Sequence, residues 1–140
     1  MKKQIAVLPG DGVGPEITQV STDILKTIAT KFNHKFTFIE GLIGAVAIDT
    51  TGDPFPKETH ELCEQSDAIL FGAIGDPKYD NDPSAKIRPE QGLLAMRKAL
   101  GLYANVRPIF TFDNLLSSSC LLYTSPSPRD RTRSRMPSSA

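Results

Sequence analysis

Leu8-Pro-Gly-Asp-Gly-Val-Gly-Pro-Glu16 decides how the chain begins to fold, because it joins two segments with different hydrophobic periods. Before it, Ile5-Ala-Val-Leu8 is a short continuous apolar run, which predicts a strand buried on both faces, as in parallel sheets. After it, apolar residues recur with the 3.6-residue period of an amphipathic helix, from Ile17 to Phe32. Pro15 suits the first turn of that helix. The stretch therefore predicts a strand, a glycine turn and a helix, in that order.

The glycine turn, Gly10 to Pro15, is placed like an anion-binding turn, since the first backbone N–H groups of a helix are unpaired. Its spacing, G-x-G-x-G-P, differs from the G-x-G-x-x-G dinucleotide fingerprint, and Asp11 and Glu16 add negative charge where a pyrophosphate would lie. A tight turn that needs glycine conformations explains the same residues equally well. On the residues alone, an anion site and a structural turn both stay open.

Strand-like and helix-like segments continue to alternate up to residue 100, which predicts an α/β fold. Two further strands are expected at Phe36-Thr-Phe-Ile39 and Ala68-Ile-Leu-Phe71. Helical segments are expected near Ala45 to Ile48, over Pro56 to Gln65 and over Pro89 to Leu100, an irregular polar segment over residues 79 to 87, and an extended run over Tyr103 to Phe112. The loop from Gly72 to Lys78 follows a strand, at the edge where open α/β sheets bind ligands.

Arg88-Pro-Glu-Gln-Gly-Leu-Leu-Ala-Met-Arg97 combines an apolar pair with fixed cations. At roughly 100° per residue, four side chains share one arc of about 100° on a helix that begins at Pro89: Glu90, Leu93, Leu94 and Arg97. Arg97, like Arg107 ten residues later, carries the planar donor fork that binds a carboxylate. These residues suit a branched organic acid, although a solvated helix face with the leucines in the core is the commoner arrangement.

The length, charge and cysteine content of the chain limit the class of protein to which it can belong. The chain has 140 residues, of which 39% are hydrophobic, enough for one ordinary domain. Residues 1–116 carry 12 Lys and Arg against 15 Asp and Glu, a pattern that predicts no nucleic-acid partner. No membrane span or export signal is predicted, and Cys63 and Cys120 are expected to be free thiols in a reducing cytoplasm. His34, His60 and Cys63 lack the spacing of a metal site.

Residues 117–140 differ from the rest of the chain. They contain eight Ser, three Pro and four Arg without periodicity, which predicts disorder. The arginines from Arg129 to Arg135 also admit a basic tail or a phosphorylation target. The run from Cys120 to Ala140 resembles translated read-through sequence, so we expect that it is not part of the fold.

Three blocks together resemble the isocitrate/isopropylmalate dehydrogenase family of β-decarboxylating dehydrogenases, and within it the members that act on 3-isopropylmalate. The blocks are Leu8 to Glu16, Ile69 to Lys78, and Arg88 to Lys98 with Leu102 to Pro108, and the likeness covers about residues 3–116 in order. It implies a Rossmann-like three-layer α/β sheet with helices on both faces. Residues 1–102 would form an incomplete first, cofactor-side domain, 103–116 the truncated start of a second domain, and 117–140 a disordered tail outside the family.

The resemblance also implies a function: oxidative decarboxylation of 3-isopropylmalate with NAD and Mg²⁺ or Mn²⁺, in leucine biosynthesis, by a cytoplasmic homodimer. Arg97 and Arg107 are similar to the arginines that hold the malate carboxylates, and Leu93 and Leu94 to the wall for the isopropyl group. Glu90 resembles the glutamate beside the substrate and the nicotinamide. The other positions carried over to the cofactor side are Gly72, Gly75, Asp76, Pro77, Lys78 and Val13.

Family members are more than twice this length, and the resemblance places their catalytic acid and base, their metal-binding aspartates and their adenosine loop beyond the equivalent of Leu116. We therefore expect no catalytic residue and no metal ligand in this chain, and no activity from it alone. The alternatives are a tartrate- or isocitrate-type fragment, a non-catalytic anion-binding α/β module, and a chain without a stable function. The leucine pair favours isopropylmalate over isocitrate, whose third carboxylate would need a polar neighbour.

Overall fold

A computed structural model of the chain describes residues 1–80 and 87–108. Its elements are, in chain order, β1 (Lys2–Gly10), α1 (Gly14–Lys31), β2 (Lys35–Glu40), α2 (Ala45–Thr51), α3 (Lys57–Gln65), β3 (Ala68–Ala73), α4 (Pro77–Asp80) and α5 (Pro89–Ala99). Strands and helices follow one another as the hydrophobic pattern predicts, except that α4 was not predicted: it includes residues 79 and 80, which were expected to be irregular. The expectations for residues 81–86, for the extended run beyond residue 108 and for the tail lie outside the described residues.

The described strands form one parallel sheet in the order β2-β1-β3. In the register, Leu8 pairs with Phe71 and Gly10 pairs with Ala73. Because the strands are parallel, their carboxyl ends meet at one edge. At that edge the backbone N–H of Asp11 donates to the carbonyl of Ala73 at 2.7 Å, so the turn after β1 lies against the end of β3.

Helices α3 and α5 cover one face of the sheet. Ala6 and Leu8 of β1 are fully buried in a cluster with Cys63 of α3 and Met96 of α5. Ile69 and Phe71 of β3, which point to the same face, pack against this cluster. Burying these apolar side chains together supplies the hydrophobic free energy that joins the helices to the sheet.

Helix α1 covers the other face. A Cβ added to Gly72 of β3 would lie 3.0 Å from Cγ2 of Thr18 and 2.2 Å from the carbonyl oxygen of Pro9, so only glycine permits this approach of the helix to the sheet. With α1 on one side and α3 and α5 on the other, the predicted three-layer α/β arrangement with helices on both faces is confirmed.

The position of α1 along the chain agrees with the prediction, but its apolar stripe does not face the sheet. The buried residues of α1 are Gly14, Thr18, Thr22 and Ala29. Of the six apolar residues of the predicted repeat, Leu25 is half-buried. The other five form a stripe that is between 39% and 59% exposed: Ile17, Val20, Ile24, Ile28 and Phe32. The close approach at Gly72 leaves room only for small side chains, and the Thr18 hydroxyl donates to the carbonyl of Gly14 at 2.8 Å. At roughly 100° per residue, the stripe lies about a quarter-turn round from the buried face.

The prediction of a continuous loop from Gly72 to Lys78 was wrong at both ends. The strand ladder continues to Ala73, because Gly10 and Ala73 still pair. At the other end, Asp76 caps the short helix α4, which begins at Pro77: the side chain of Asp76 accepts a hydrogen bond from the N–H of Lys78 at 2.9 Å. The loop itself is therefore limited to residues 74–76.

The chain divides into two units, Met1–Tyr103 and a second unit that begins at Ala104. Of the second unit, residues 104–108 are described; they are exposed and belong to no helix or strand. Within residues 1–80 and 87–108, no helix has the length and apolar character needed to cross a membrane.

Candidate functional site

Three segments meet at the carboxyl edge of the sheet: the turn after β1, the loop after β3 and the first turn of α5. A Cβ added to Gly12 would lie 3.7 Å from the carbonyl oxygen of Gly75, and one added to Gly75 would lie 3.7 Å from Oε1 of Glu90. We refer to Gly12, Gly75 and Glu90 as the carboxyl-edge site. Both glycines have positive φ, 57° and 136°, which other residues rarely adopt. The site thus joins two bare backbone segments to one carboxylate.

Helix α5 separates the predicted substrate residues into two environments. Glu90, Leu94 and Arg97 are exposed, with 62% of Leu94 accessible. Leu93 is half-buried and packs against the hydrophobic cluster. The fully buried side consists of Pro89, Gly92 and Met96. The outer face of α5 therefore presents a carboxylate, an isobutyl group and a guanidinium, as the helical arc predicts, whereas Leu93 of the same predicted arc contacts the cluster.

Arg107 lies in the second unit, where its side chain is exposed. Its role beside Arg97 stays a prediction.

The predicted cofactor-side residues lie in different settings. Val13 precedes α1 and is 55% exposed. Gly72 lies inside β3 beneath α1, where its lack of a side chain serves packing. Gly75, in the loop after β3, belongs to the carboxyl-edge site, whereas Val13 and Gly72 do not.

Lys78 is tied to helix α2. Its ammonium group lies 2.8 Å from Oδ1 of Asp49, and the hydroxyl of Tyr79 donates to the same oxygen at 2.7 Å. The hydrogen bond from Lys78 lowers the pKa of Asp49, and the same carboxylate raises the pKa values of Lys78 and Tyr79 above their usual ranges. Pro77 begins α4 and Asp76 caps it. Lys78 and Tyr79 thus hold α4 against α2 through Asp49.

Asp11 is the residue whose position sequence reasoning missed. Its side chain is 2% exposed and accepts three backbone hydrogen bonds, from Ala45 at 2.8 Å, Val46 at 3.0 Å and Gly75 at 3.3 Å. The sequence before α2 does indicate that this helix needs a capping partner. No Ser, Thr, Asp or Asn stands directly before Ala45, so the first N–H groups of α2 need a partner from elsewhere in the chain.

Cys63 is a packing residue in this structure. It is 4% exposed within the hydrophobic cluster, and burial raises the pKa of its thiol, which favours the unreactive protonated form. In the part of the chain that the structure describes, no group of three or more His, Cys, Asp or Glu side chains is placed to hold a metal ion.

Comparison with known proteins gives the family. The model of the isocitrate/isopropylmalate dehydrogenase family matches residues 4–125. The chain belongs to this family. Among its relatives, a 3-isopropylmalate dehydrogenase from Bacteroides fragilis (strain YCH46) is 54% identical over 126 residues, which are 90% of this chain and 34% of the relative. A 3-isopropylmalate dehydrogenase from Bacillus subtilis (strain 168) is 54% identical over 121 residues, 86% of this chain and 33% of the relative.

Solved structures of similar fold agree with the family. A β-decarboxylating dehydrogenase from Thermococcus kodakarensis, in its apo form, has a TM-score of 0.54 and 35% identity over 72% of this chain and 27% of its own. An isocitrate dehydrogenase from Methylococcus capsulatus has a TM-score of 0.59 and 27% identity over 79% of this chain and 29% of its own. The chain spans about a third of the length of the curated relatives it matches.

Proposed function

We propose that this chain forms the amino-terminal part of an NAD-dependent dehydrogenase that oxidises and decarboxylates 3-isopropylmalate in leucine biosynthesis. The observation that supports this best is the outer face of α5, where Leu94 is exposed on the same side of the helix as Arg97 and Glu90. An isobutyl group beside a guanidinium matches a substrate that has a branched aliphatic arm and carboxylates. Relatives that carry the name 3-isopropylmalate dehydrogenase are 54% identical to the chain.

Each residue of α5 has a distinct part in substrate binding. The Arg97 guanidinium holds one carboxylate through two parallel N–H donors, which fixes the orientation of the substrate as well as its affinity. Leu94 contacts the isopropyl group from the outer face, and Leu93 supports it from the edge of the hydrophobic cluster. Arg107 is assigned to a second carboxylate on the family resemblance alone.

We assign the nicotinamide ring to the carboxyl-edge site because the family resemblance sets Glu90 beside the nicotinamide. Gly12 and Gly75 present backbone without side chains near the carboxylate of Glu90, a surface on which a flat ring can pack. Val13 supplies an exposed apolar side chain at the start of α1. NAD, when bound, accepts the hydride. The Gly75 loop, with Asp76, Pro77 and Lys78 behind it, then forms one wall of the cofactor's binding region.

The described residues do not by themselves fit a complete site for Mg²⁺ or Mn²⁺. Ligands for that ion would come from other parts of the enzyme. We further assign residues 1–102 to the first domain and 103–116 to the start of the second, and we expect a cytoplasmic homodimer for the complete enzyme.

The experiment that tests this function uses a chimera, because the chain spans only a third of its relatives' length. Residues 1–116 are joined to the remaining part of the Bacteroides fragilis relative, and NADH formation is followed with 3-isopropylmalate, isocitrate and tartrate. We expect turnover with 3-isopropylmalate preferred, and no turnover from the 140-residue chain alone. A soluble, folded chimera that forms no NADH with any of the three acids would contradict the proposal.

A matched pair of variants separates the role of Arg97 from its charge. Arg97→Lys keeps the charge but loses the bidentate fork, so we expect a KM for 3-isopropylmalate raised about tenfold or more. Lys98→Arg, the control, changes the neighbouring exposed cation and should leave the KM unchanged. Equal KM values for Arg97→Lys and its parent would contradict a role of Arg97 in binding the substrate.

A further inference from the structure

Asp11 connects four segments at the carboxyl edge of the sheet. Its backbone N–H donates to Ala73 at the end of β3 at 2.7 Å, and its carbonyl accepts a hydrogen bond from Gly14 at the start of α1 at 2.8 Å. Its carboxylate accepts from Ala45 and Val46 at the start of α2, and from Gly75 in the loop after β3. Through this one residue, α1, α2, β3 and the Gly75 loop share a common support.

The surroundings of Asp11 leave it little freedom. A Cβ added to Gly44 would lie 2.3 Å from Oδ2 of Asp11, so the backbone of α2 closes on the carboxylate from one side. Gly75 lies on another side, and a Cβ added to Gly75 would lie 3.7 Å from Oε1 of Glu90. A shift of the Asp11 carboxylate therefore changes the position of Gly75 relative to Glu90.

We propose that Asp11 is a positioning residue for the cofactor: its buried carboxylate fixes the Gly75 loop at the distance from Glu90 that nicotinamide binding requires. Three N–H donors converge on this side chain, and a carboxylate is the group that offers acceptors alone. Ala45 and Gly75 donate to Oδ2, whereas Val46 donates to Oδ1. An asparagine could still accept from Ala45 and Gly75 through its one amide oxygen, but an alanine at position 11 would leave all three donors without an acceptor.

This inference rests on the proposed function for its cofactor, but it also makes a prediction about the chain alone. In the 140-residue chain, Asp11→Ala should raise the hydrogen-exchange rate of the Gly75 amide at least tenfold, measured by NMR. Thr59→Val is the matched control, because it removes a hydrogen bond from a buried side chain to Leu42, 2.7 Å long, in another part of the same fold. The control should leave the Gly75 amide protected as in the parent. Equal protection of Gly75 in Asp11→Ala and its parent would overturn the inference.

The second measurement uses the chimera and separates the cofactor from the substrate. Asp11→Ala should raise the Kd and KM for NAD about tenfold, while the KM for 3-isopropylmalate changes less than twofold. Thr59→Val should alter neither the NAD constants nor the KM for 3-isopropylmalate. A general loss of structure would change the constants for both ligands together. Unchanged NAD affinity in a folded Asp11→Ala variant would overturn the inference.

A second variant covers the case in which Asp11→Ala does not fold. Asp11→Ser shortens the side chain and removes Oδ2, the oxygen that accepts from Gly75, but keeps a hydroxyl group in the buried site. Weaker NAD binding in that variant supports the inference, whereas unchanged binding contradicts it. The parent chimera keeps the two proposals apart. A parent that binds NAD without turnover contradicts the proposed function, yet a tenfold loss of that binding on Asp11→Ala still supports the role of Asp11.

Discussion

Leu93 and Leu94 are neighbours in the sequence, but the structure gives them different surroundings. Leu93 packs against the hydrophobic cluster, while 62% of Leu94 is accessible. The helical period explains the difference, because successive residues of a helix point roughly 100° apart. At roughly 100° per residue, Leu93 lies about 60° from Met96 of the buried side, whereas Leu94 lies about 160° from Met96, beyond Arg97. One leucine should therefore serve the fold and the other the ligand.

This difference predicts opposite effects for two alanine substitutions. Leu93→Ala should lower the stability of the chain by about 1–3 kcal/mol, because it removes methyl groups that pack against the cluster. Leu94→Ala should change stability by no more than about 0.5 kcal/mol, as for most surface substitutions. Thermal unfolding of the two variants, followed by circular dichroism, measures the difference. Equal losses of stability in both variants would show that Leu94 is buried as well.

The same pair predicts substrate preference in the chimera. Leu94→Ala should relax the preference for 3-isopropylmalate over smaller malates by about 1–3 kcal/mol, as expected for a contact with one branched arm. The ratio of kcat/KM values for the two substrates gives this number. A preference that stays the same after the substitution would place the isopropyl group elsewhere.

The residues of α5 and Asp11 show which features of the site the sequence alone predicts and which it does not. The helical period placed Glu90, Leu93, Leu94 and Arg97 on one arc. Three of these residues are exposed together, whereas Leu93 packs against the hydrophobic cluster. The position of Asp11 did not follow, because its partners Ala45 and Gly75 are 34 and 64 residues away in the sequence. A local pattern contains no information about such distant donors.

At the scale of elements, Asp49 joins α2 to α4 through Lys78 and Tyr79. The pKa of Asp49 is lowered in the fold, so its contribution to stability is present above the ordinary carboxyl pKa and is lost as the pH falls through the lowered value. The pKa of Lys78 is raised, so its contribution is present below the ordinary lysine pKa and is lost as the pH rises through the raised value. The junction between α2 and α4 should thus be strongest around neutral pH.

Lys78→Gln tests the cause of the lowered pKa. In that variant the pKa of Asp49 should rise toward the ordinary aspartate value of about 3.9, measured by NMR titration of its carboxyl carbon. Asp67 is an internal control, since its pKa is lowered mainly by a hydrogen bond from Lys3 on a different part of the surface. The titration of Asp67 should not change. A pKa of Asp49 that does not respond to the loss of Lys78 would contradict the pairing.

Helix α1 shows that hydrophobic periodicity predicts the presence of a helix but not which of its faces is buried. The repeat from Ile17 to Phe32 predicted a helix correctly. It did not predict the buried face, because the fit of α1 to the sheet depends on Gly72, which lies more than fifty residues from Thr18. Sterics at that contact favour threonine and alanine over larger apolar side chains. Hydrophobic pattern thus gives the type of element, whereas the packing partner gives its orientation.

At the scale of the whole molecule, the fold class was predictable because short apolar runs alternate with helical segments. The continuous apolar character of β1 predicted burial on both faces, and Ile5, Ala6, Val7 and Leu8 are all buried. The hydrophobic pattern did not predict the order of the strands, because pairing depends on contacts between segments far apart in the sequence. The observed order places β1 between β2 and β3, so that Asp11 lies at the end of the central strand of the described sheet.

The exposed stripe of α1 leads to the last prediction. Val20, Ile24 and Ile28 are 57%, 55% and 39% exposed on one side of the helix. Apolar side chains arranged in this way favour association with other apolar surfaces, because burying each one is worth about 1.5–3 kcal/mol. We therefore expect the 140-residue chain to self-associate at micromolar concentrations.

Ile24→Lys should raise the dissociation constant for self-association about tenfold or more, with little change in the melting temperature, as measured by analytical ultracentrifugation and thermal unfolding. Thr30→Lys is the matched control, since it adds the same charge at an exposed polar position of the same helix. If both variants weaken association equally, net charge rather than the stripe governs it, and if neither does, association occurs through another surface. Only a larger effect of Ile24→Lys agrees with α1 as the contact, because only that variant removes apolar area from it.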